Sequence, residues 1–410
     1  MRIHHRLLAA TAAATATVAA LAGSFLTAAP PAAAAGKPLP PVRVLTPATA
    51  GARSGGDLFL APQSQSPDYA SGLEILSPDG RRVVWSKTLP AGQAAADFRA
   101  QTYRGQRVLT WWQGTGLGGV SQGVDYVYDS HYRRIAEVRA GNGYQADGHE
   151  FLITPQNTAL IIAYREETAD LRSLGGPADQ KVIDGVVQEI DIADGRVLHQ
   201  WDAADHVPYS ESEQPLPASA GTPWDWFHLN AVKLDDGGRR LLIGARNTWT
   251  TYQVDRRSGR IAWRLGGKDS SFTPRAADGQ RLNQAGTIFA WQHDPEPQGG
   301  GRYTFFDNES AGAGNTGAGA VEELPYSRSV TVSLDYAART ATLVASNDQP
   351  AGGSASSQGD AQTLPGGDQV VGWGSLPYLS EFDRAGRLVF DAEFPAGVNS
   401  YRAYRFDWRG

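Results

Sequence analysis

The sequence predicts an all-β protein, a six-bladed β-propeller of four-stranded antiparallel blades, and two observations lead to this fold class. Short segments that alternate apolar and polar residues recur between tight turns, in a composition with 47 glycines and 11 tryptophans. Such alternation indicates strands joined by turns. One strand–turn–strand pattern also recurs six times, and self-similarity of this kind indicates an array of like units. A two-sheet sandwich would not need six similar copies.

The first 35 residues form a candidate secretory signal. Arg2 and Arg6 precede an Ala/Val/Leu-rich run, and the small residues up to Ala35 suit cleavage by a signal peptidase. Thr and Ser interrupt the apolar run and no second span follows it. We therefore expect secretion to the extracellular space without stable insertion in a membrane. Residues 36–410 are expected to form a single propeller domain.

The composition argues against nucleic acid as a partner and excludes disulfide bonds as a source of stability. The formal net charge is −6, whereas phosphate binding needs a basic surface. The chain has no cysteine, so it forms no disulfides and carries no lipid-modified N-terminal cysteine. A large core must therefore stabilise the fold without them.

The recurring unit pairs an alternating strand with a second strand, often containing Trp, across a turn built around Asp or Gly-Arg. Its six copies occupy residues 73–89, 125–140, 186–201, 251–266, 329–346 and 378–394. Hairpins of a second kind lie between them, at residues 107–114, 150–164, 230–246, 300–308 and 360–374. Two hairpins per unit give a four-stranded blade. Residues 401–408 are expected to close the ring beside residues 43–48, and the Gly/Ser/Pro-rich segments 210–223 and 351–362 are expected to be surface insertions.

Three hairpins of the second kind share a histidine before the first strand and polar residues after the second strand. The matched residues are His149 with Arg165, His228 with Arg246, and His293 with Asp307 and Asn308. The start of one strand and the end of its antiparallel partner lie at the same end of a hairpin. Since the first strand of a blade lines the channel of a propeller, we expect three imidazoles and Arg246 at one mouth of that channel. His131, His199 and His206 are assigned to the surface.

The chemistry that fits this group is anion binding combined with nucleophilic and acid–base catalysis. Three histidines also suit zinc or copper, but Arg246 would repel a cation and "NAV" and "DPEP" supply no obvious supporting groups, so no metal is expected. Arginine offers a permanent charge and a planar donor fork. Imidazoles add donors, a nucleophile and an acid or base near neutral pH. A purely structural role for each histidine, as a half-buried residue bonded to a nearby loop, is the alternative.

Three further residues are predicted to bind the substrate. Asn230 lies two residues beyond His228 on the same strand face and can add an amide donor. Asn308 lies at the end of the third hairpin. Trp226 belongs to a group of tryptophans near these strand ends that suits stacking on a flat aromatic substrate, although tryptophans in blades are also common core residues. The other members of the group are Trp111, Trp112, Trp224, Trp249 and Trp291.

The sequence resembles the arylsulfotransferase family of secreted or periplasmic six-bladed propellers, over most of residues 36–410. The resemblance depends on "DGHEF", "DWFHLNAV" followed by "LLIGARN", "YQVDRRSGRIAWRLGGKDSSF", and "AWQHDPEP" leading to "YTFFDN". Better-known members of that family carry an additional N-terminal β-domain involved in subunit pairing and a disulfide, which this sequence lacks. A monomer or a weak homo-oligomer is therefore expected.

The resemblance implies an enzyme that moves a sulfuryl group from a phenolic sulfate ester to a phenolic acceptor, both small molecules. His293 matches the histidine that carries the group as a sulfohistidine. His149, His228 and Arg246 match its sulfate-binding partners, and Asn230 matches the asparagine of an H-x-N motif. Ping-pong kinetics follow, and no metal or organic cofactor is implied, because the histidine itself carries the group.

Two other functions stay open on the sequence alone. The first is a non-catalytic secreted propeller that binds sulfated or aromatic ligands in the same pocket. The second is a quinone-cofactor dehydrogenase, since blades containing Trp recur in that class. The dehydrogenase is disfavoured because the chain has no cysteines and shows no obvious cluster of calcium ligands.

Overall fold

A computed structural model describes residues 36–116, 121–311 and 323–408, and residues Lys37–Gly410 belong to one compact unit. The predicted signal peptide, residues 1–35, lies outside the described residues. No helix in the described ranges has both the length and the apolar character needed to cross a membrane. The helices described there are one α-helix, α1, and five short 3₁₀ helices. They span Ala50–Ser54 (α1), Arg172–Leu174, Ala203–Asp205, Tyr209–Glu211, Asp236–Gly238 and Arg246–Thr248.

Strands make up nearly all the remaining regular structure of the described residues. The strands of the first half are β1 Arg43–Thr46, β2 Asp57–Ser64, β3 Gly72–Leu76, β4 Val83–Thr88, β5 Ala94–Tyr103, β6 Gln106–Thr115, β7 Gln122–Tyr128, β8 Arg134–Val138, β9 Ala146–Ile153, β10 Thr158–Ala169, β11 Gln180–Asp191 and β12 Val197–Asp202. Those of the second half are β13 Leu229–Asp235, β14 Arg240–Ala245, β15 Thr250–Asp255, β16 Ile261–Gly266, β17 Thr273–Ala276, β18 His293–Gly299, β19 Arg302–Asp307, β20 Arg328–Asp335, β21 Thr340–Asp348, β22 Asp360–Thr363, β23 Gln369–Gly372, β24 Tyr378–Phe382, β25 Leu388–Glu393 and β26 Val398–Phe406.

The strands form five hydrogen-bonded sheets arranged as a β-propeller, which confirms the predicted fold class. Four sheets each contain one four-stranded antiparallel unit: β26-β2-β3-β4, β13-β14-β15-β16, β18-β19-β20-β21 with β17 added, and β22-β23-β24-β25 with β1 added. The remaining eight strands, β5–β12, form one continuous sheet. The predicted count of six separate blades is therefore wrong, since the structure has four separate blades and one double-sized sheet.

The physical reason for the fused sheet lies at the junction of β7 and β9. These strands pair through Gly123 and Ala146 alone. The indole of Trp112 donates a hydrogen bond of 2.9 Å to the carbonyl of Ala146, which ties β9 to the preceding strands. A β-carbon at Gly123 would lie 2.4 Å from the Trp112 ring, so only glycine permits this approach.

The six sequence copies are confirmed as antiparallel hairpins. They correspond to β3–β4, β7–β8, β11–β12, β15–β16, β20–β21 and β24–β25. The first strand of each hairpin is largely buried, whereas the second is more exposed, as β3 and β4 illustrate. Turns at hairpin ends use residues that tolerate left-handed backbone, such as Asn157 with φ 62° and Gly237 with φ 65°.

The ends of the chain close the ring differently from the prediction. Residues 401–408 were expected beside residues 43–48. Instead β26 pairs with β2, in register from Asp57 with Phe406 to Ser64 with Val398, and β1 pairs with β25 at the outer edge of another sheet. Each terminal strand therefore completes a different sheet. The more extensive register belongs to β26 and β2, and longer pairing satisfies more backbone donors and acceptors.

A buried network of charged side chains lies where the innermost strands meet, and we call it the hub. Its cations are Arg99 on β5, Lys233 on β13 and Arg402 on β26, and its anions are Asp97 on β5, Glu150 on β9 and Asp294 on β18. Arg402 Nη1 lies 3.0 Å from Asp97, 3.2 Å from Glu150 and 3.4 Å from Asp294. Lys233 Nζ lies 2.9 Å from Glu150 and 2.7 Å from Asp294. Three cations face three carboxylates, so opposite charges hold five strands from five different parts of the chain.

Candidate active site

The three predicted histidines occupy equivalent places on three innermost strands. His149 lies within β9, His228 directly precedes β13, and His293 begins β18. The backbone N–H of Arg246 donates to the carbonyl of His228 at 3.0 Å, as expected of residues opposite each other at the open end of the β13–β14 hairpin. The antiparallel hairpin predicted for residues 230–246 is therefore confirmed.

The structure brings the three imidazoles together. The ring centroids of His149 and His228 are 5.1 Å apart at an interplanar angle of 88°, and those of His149 and His293 are 6.4 Å apart at 24°. One ring nitrogen from each lies within 4.8 Å of the others. All three side chains are buried. Residues separated by up to 144 positions in the sequence thus form one cluster, which we call the histidine cluster.

Two aspartates that the sequence analysis missed orient two of these rings. Asp147 accepts hydrogen bonds from the ring Nδ1 and the backbone N–H of His149. Asp225 accepts one of 2.5 Å from Nδ1 of His228 and one of 3.2 Å from its backbone N–H. A carboxylate on Nδ1 fixes the tautomer and stabilises the imidazolium when Nε2 gains a proton. The signal was present as Asp two residues before His in "DGHEF" and three before it in "DWFH".

His293 differs from the other two histidines, because its Nδ1 is hydrogen-bonded to a side-chain amide and not to a carboxylate. Its Nδ1 lies 2.7 Å from Oδ1 of Asn308, and its Nε2 accepts a hydrogen bond of 3.2 Å from the backbone N–H of Gln358. The nitrogen of Asn308 donates to the carbonyls of Ala355 and Gln358, which leaves its oxygen as the acceptor. Nδ1 of His293 therefore carries the hydrogen and Nε2 carries the lone pair. Asn308, predicted to bind substrate, is instead the residue that positions His293.

Arg246 is buried with one donor left over. Its Nη1 donates to Oδ1 of Asn247 at 2.8 Å, and its Nη2 donates to the carbonyls of Ala311 at 2.8 Å and Ser356 at 2.9 Å. The guanidinium carbon lies 5.0 Å from the ring centroid of Trp291. Nε has no hydrogen-bond partner among the described residues. A buried donor without a partner is costly, and an anionic oxygen would satisfy it.

The segment 351–362 is part of the site, contrary to the prediction of a surface insertion. The carbonyl of Ser356 accepts a hydrogen bond from Arg246, and the carbonyls of Ala355 and Gln358 accept hydrogen bonds from Asn308. The backbone N–H of Gln358 donates to His293. Backbone groups supply these contacts, and a backbone group is the same in every residue. The Gly/Ser-rich composition of the segment therefore carried no signal of its role.

Asn230 and Trp226, two of the residues predicted to bind substrate, are buried in the structure. Asn230 is fully buried, and its amide nitrogen donates to the carbonyl of Gln292 at 2.7 Å. It therefore links β13 to the residue before His293. Trp226 is also fully buried, and its ring packs 5.0 Å from Phe227 and 4.8 Å from Tyr209 within the hydrophobic core. The structure thus places Trp226 in the core, which is the alternative that the sequence leaves open for these tryptophans.

Burial and neighbouring charge shift the titration of the cluster. Burial, reinforced by Arg246 and His149, holds the pKa of His293 well below its ordinary value. Burial also lowers the pKa of His228, although Asp225 opposes the shift. Burial would raise the pKa of Asp147, but its bonds to His149 and Ser121 leave it below the ordinary value. Burial lowers the pKa of Arg246 to about 10, so at neutral pH a cationic guanidinium faces a neutral His293.

The lowered pKa of His293 predicts a contribution to stability that depends on pH. The unfolded chain takes up a proton near pH 6.5, whereas folded His293 stays neutral, so its contribution is present above pH 6.5 and is lost as pH falls. Between pH 6.5 and 5.5 we expect wild type to lose up to about 1 kcal/mol more unfolding free energy than His293→Gln. Urea denaturation at both values measures the difference. The exposed His131→Gln variant serves as control and should match wild type, whereas equal slopes for wild type and His293→Gln would contradict the assignment.

The remaining histidines and Arg165 lie apart from the cluster. Arg165 is partly exposed and pairs with Glu167 at 2.8 Å and Asp184 at 3.2 Å. His131 and His199 are exposed, and His206 stacks on Trp201 with centroids 5.2 Å apart. The placement of these three histidines outside the cluster agrees with the sequence analysis.

A cavity of about 770 Å³ opens at the other end of the same hairpins. Turn residues line it, among them Gln156, Gly237 and Gly300. None of the residues of the histidine cluster borders this cavity. This cavity and the histidine cluster therefore lie at opposite ends of the inner hairpins, and the candidate active site is defined by its functional groups.

Fold and site together define a class: an all-β propeller whose inner strands bring three oriented imidazoles to a buried arginine. A family model for Arylsulfotransferase (ASST) matches residues 99–395, and the chain belongs to this family. Membership supports aryl sulfotransferase activity in general and implies small-molecule aryl donors and acceptors. Comparison with curated proteins gives no match.

Among solved structures, three similar ones cover most of the chain at low identity. A protein of unknown function from Bacteroides caccae has a TM-score of 0.47 at 12% identity, covering 86% of this chain and 100% of its own. The periplasmic gluconolactonase PpgL of Pseudomonas aeruginosa has 0.43 at 13%, covering 85% and 99%. The Cps50 (Swd1) β-propeller domain of Myceliophteria thermophila has 0.40 at 12%, covering 86% and 89%. Similarities of this size say nothing about the chemistry of this chain.

Proposed function

We propose that the protein is an aryl sulfotransferase that moves a sulfuryl group from a phenolic sulfate ester to a phenol through a sulfated His293. One observation carries the proposal: neutral His293, with its Nε2 lone pair set by Asn308 and Gln358, lies in a cluster with two aspartate-backed imidazoles and Arg246. This arrangement combines a nucleophile, an acid–base pair and a fixed positive charge.

In the first half-reaction, Nε2 of His293 attacks the sulfur of the donor. The new N–S bond forms as the S–O bond to the aryl group breaks, and the electron pair stays on the aryl oxygen. A proton on the ring of His149 or His228 neutralises that oxygen, and the negative charges of the bound donor and of Asp147 or Asp225 favour protonation of that ring in the complex. Arg246, whose Nε has no partner among the described residues, binds a sulfuryl oxygen. The phenol leaves.

In the second half-reaction, the acceptor phenol occupies the place of the first. Its proton passes to the imidazole that gave one up, and its oxygen attacks the sulfur as the N–S bond breaks. His293 then regains its lone pair, so atoms and charges return to the starting state. The two substrates never need to be bound together, and ping-pong kinetics are expected.

Release of nitrophenolate from p-nitrophenyl sulfate tests the proposal. Release that requires added phenol, with formation of phenyl sulfate, is the expected result. The mass of donor-treated protein without acceptor should increase by one sulfuryl group. Release that needs no acceptor would identify a sulfatase instead. Binding of the donor without any release would identify a non-catalytic ligand-binding propeller.

Replacing Arg246 by lysine is expected to lower kcat by about 10²–10³-fold with a smaller change in KM. Lysine keeps the charge but loses the Nε–H and the planar fork that holds Asn247, Ala311 and Ser356. The assay is transfer from p-nitrophenyl sulfate to phenol at saturating acceptor. Arg239→Lys, at an exposed turn, is the matched control. A change confined to KM would show that Arg246 binds the donor without stabilising the transition state.

A further inference from the structure

We propose that His149, His228 and His293 also form a binding site for one divalent transition-metal ion of the zinc or copper type, which competes with the sulfuryl group. Binding of the metal is independent of the proposed function, whereas the competition rests on it. The starting observation is that one nitrogen of each ring lies within 4.8 Å of the other two. The histidine cluster is the group of metal-ligating side chains found among the described residues.

The groups behind the rings are those that metal-binding histidines use. Nδ1 of His149 and of His228 is bonded to an aspartate, and Nδ1 of His293 is bonded to the oxygen of Asn308. Histidine ligands usually donate their second ring N–H to a carboxylate or a carbonyl oxygen, which fixes the ring and raises its basicity. From the sequence no metal is expected, because Arg246 would repel a cation and no supporting groups are obvious. The structure supplies one for each ring, and three Nε2 atoms remain as ligands.

The dimensions suit a four-coordinate ion. Zinc–nitrogen bonds of about 2.0–2.1 Å place tetrahedral ligands about 3.4 Å apart. From the present limit of 4.8 Å, binding of the ion therefore requires the nitrogens to approach one another by at most about 1.4 Å. The hydrogen bond from Gln358 to Nε2 of His293, at 3.2 Å, is the one contact that the metal must displace. Three imidazoles leave a fourth position for water or an anion, and imidazole suits zinc and copper.

The local charge also accommodates a cation. Within the described residues the cation beside the cluster is Arg246, and the carbonyls of Ala311 and Ser356 and the oxygen of Asn247 accept hydrogen bonds from its Nη atoms. Asp147 and Asp225 lie directly behind two of the ligands. Two carboxylates therefore outnumber one guanidinium. A bound ion would take the Nε2 lone pair of His293, so the same nitrogen could not attack sulfur.

Titration of the chelator-treated full chain with Co²⁺ tests the site, because a tetrahedral Co²⁺ site absorbs visible light. One ion per chain is expected, and Zn²⁺ should displace it. His228→Ala should weaken binding by at least about 100-fold, and Asp225→Asn by about 10–100-fold, because loss of a supporting group has that effect. The exposed His131→Ala is the matched control and should bind like wild type, with near-ultraviolet circular dichroism confirming the fold of each variant. Absence of one-to-one binding, or full binding by folded His228→Ala, would overturn the site.

Inhibition separates this inference from the proposed function. Zn²⁺ is expected to stop phenol-dependent release of nitrophenolate by wild type, and a chelator should restore it. Binding of Co²⁺ by a protein without sulfuryl transfer would leave the metal site standing and reject the proposed function. Transfer that continues with Zn²⁺ bound at the cluster would reject the competition. Transfer by a protein that binds no Co²⁺ would reject the metal site alone.

Discussion

Replacing His293 by alanine is expected to lower phenol-dependent release of nitrophenolate by about 10⁴-fold or more, because the variant has no atom to carry the sulfuryl group. The other groups persist in that variant, since Asp147, Asp225 and Arg246 hold their partners without His293. Under the proposed mechanism they still bind and polarise the donor but cannot divide the reaction into two steps. The measurement is kcat for transfer, with the mass of donor-treated protein as a second readout. No sulfuryl group should be attached to the variant.

His199→Ala is the matched control for this prediction. His199 lies on β12, is exposed, and shares no contact with the cluster. It should retain both turnover and the added sulfuryl group. A sulfuryl group that is still attached to His293→Ala would place the nucleophile on another residue. Retention of rapid transfer would mean that the acceptor attacks the donor directly in a single displacement.

Replacing Arg402 by leucine is expected to lower the free energy of unfolding by about 3–5 kcal/mol. The substitution removes one cation of the hub and leaves buried carboxylates without that partner. Arg402 contacts Asp97, Glu150 and Asp294 from β26 and also donates to the carbonyl of Asn230 at 3.3 Å. Without it, three anions share two cations. Urea denaturation monitored by tryptophan fluorescence measures the change.

Arg387→Leu is the matched control for the hub. Arg387 also pairs with an aspartate, Asp383, but at an exposed turn, where solvent screens the pair. Its loss should change stability little. A loss for Arg402→Leu no larger than that of the control would show that the hub contributes little to closure of the ring. Added activity assays at low temperature would show whether His149 and His293, which directly precede Glu150 and Asp294, keep their alignment.

The repeated hairpins were predictable from the sequence because their signals are local. Alternation and turn residues act within about ten positions, and all six copies form the expected antiparallel pairs. The pairing of His228 with Arg246 was predictable for the same reason, since the two residues flank the strands of one antiparallel hairpin. Which strands join across blades was not predictable, because Trp112 and Gly123 determine it through contacts with a distant strand.

The candidate site also has features that the sequence predicts and features that it does not. Residue type and spacing within each hairpin pointed to His149, His228, His293 and Arg246, and the structure brings the three imidazoles together. The tasks of Asn308, Asn230 and Trp226 depend on groups that are remote in the chain or belong to the backbone. Such groups leave no pattern around the residue that they contact.

By itself, therefore, the amino-acid order determined the strands, their turns and the chemical identity of the reactive side chains, since all of these follow from interactions between near neighbours. Only the tertiary structure decided which nitrogen of His293 is free, which aspartates back the other rings, and how the hub binds five strands together. Closing the ring creates these contacts, because it buries polar groups from distant segments beside one another, where each must find a partner.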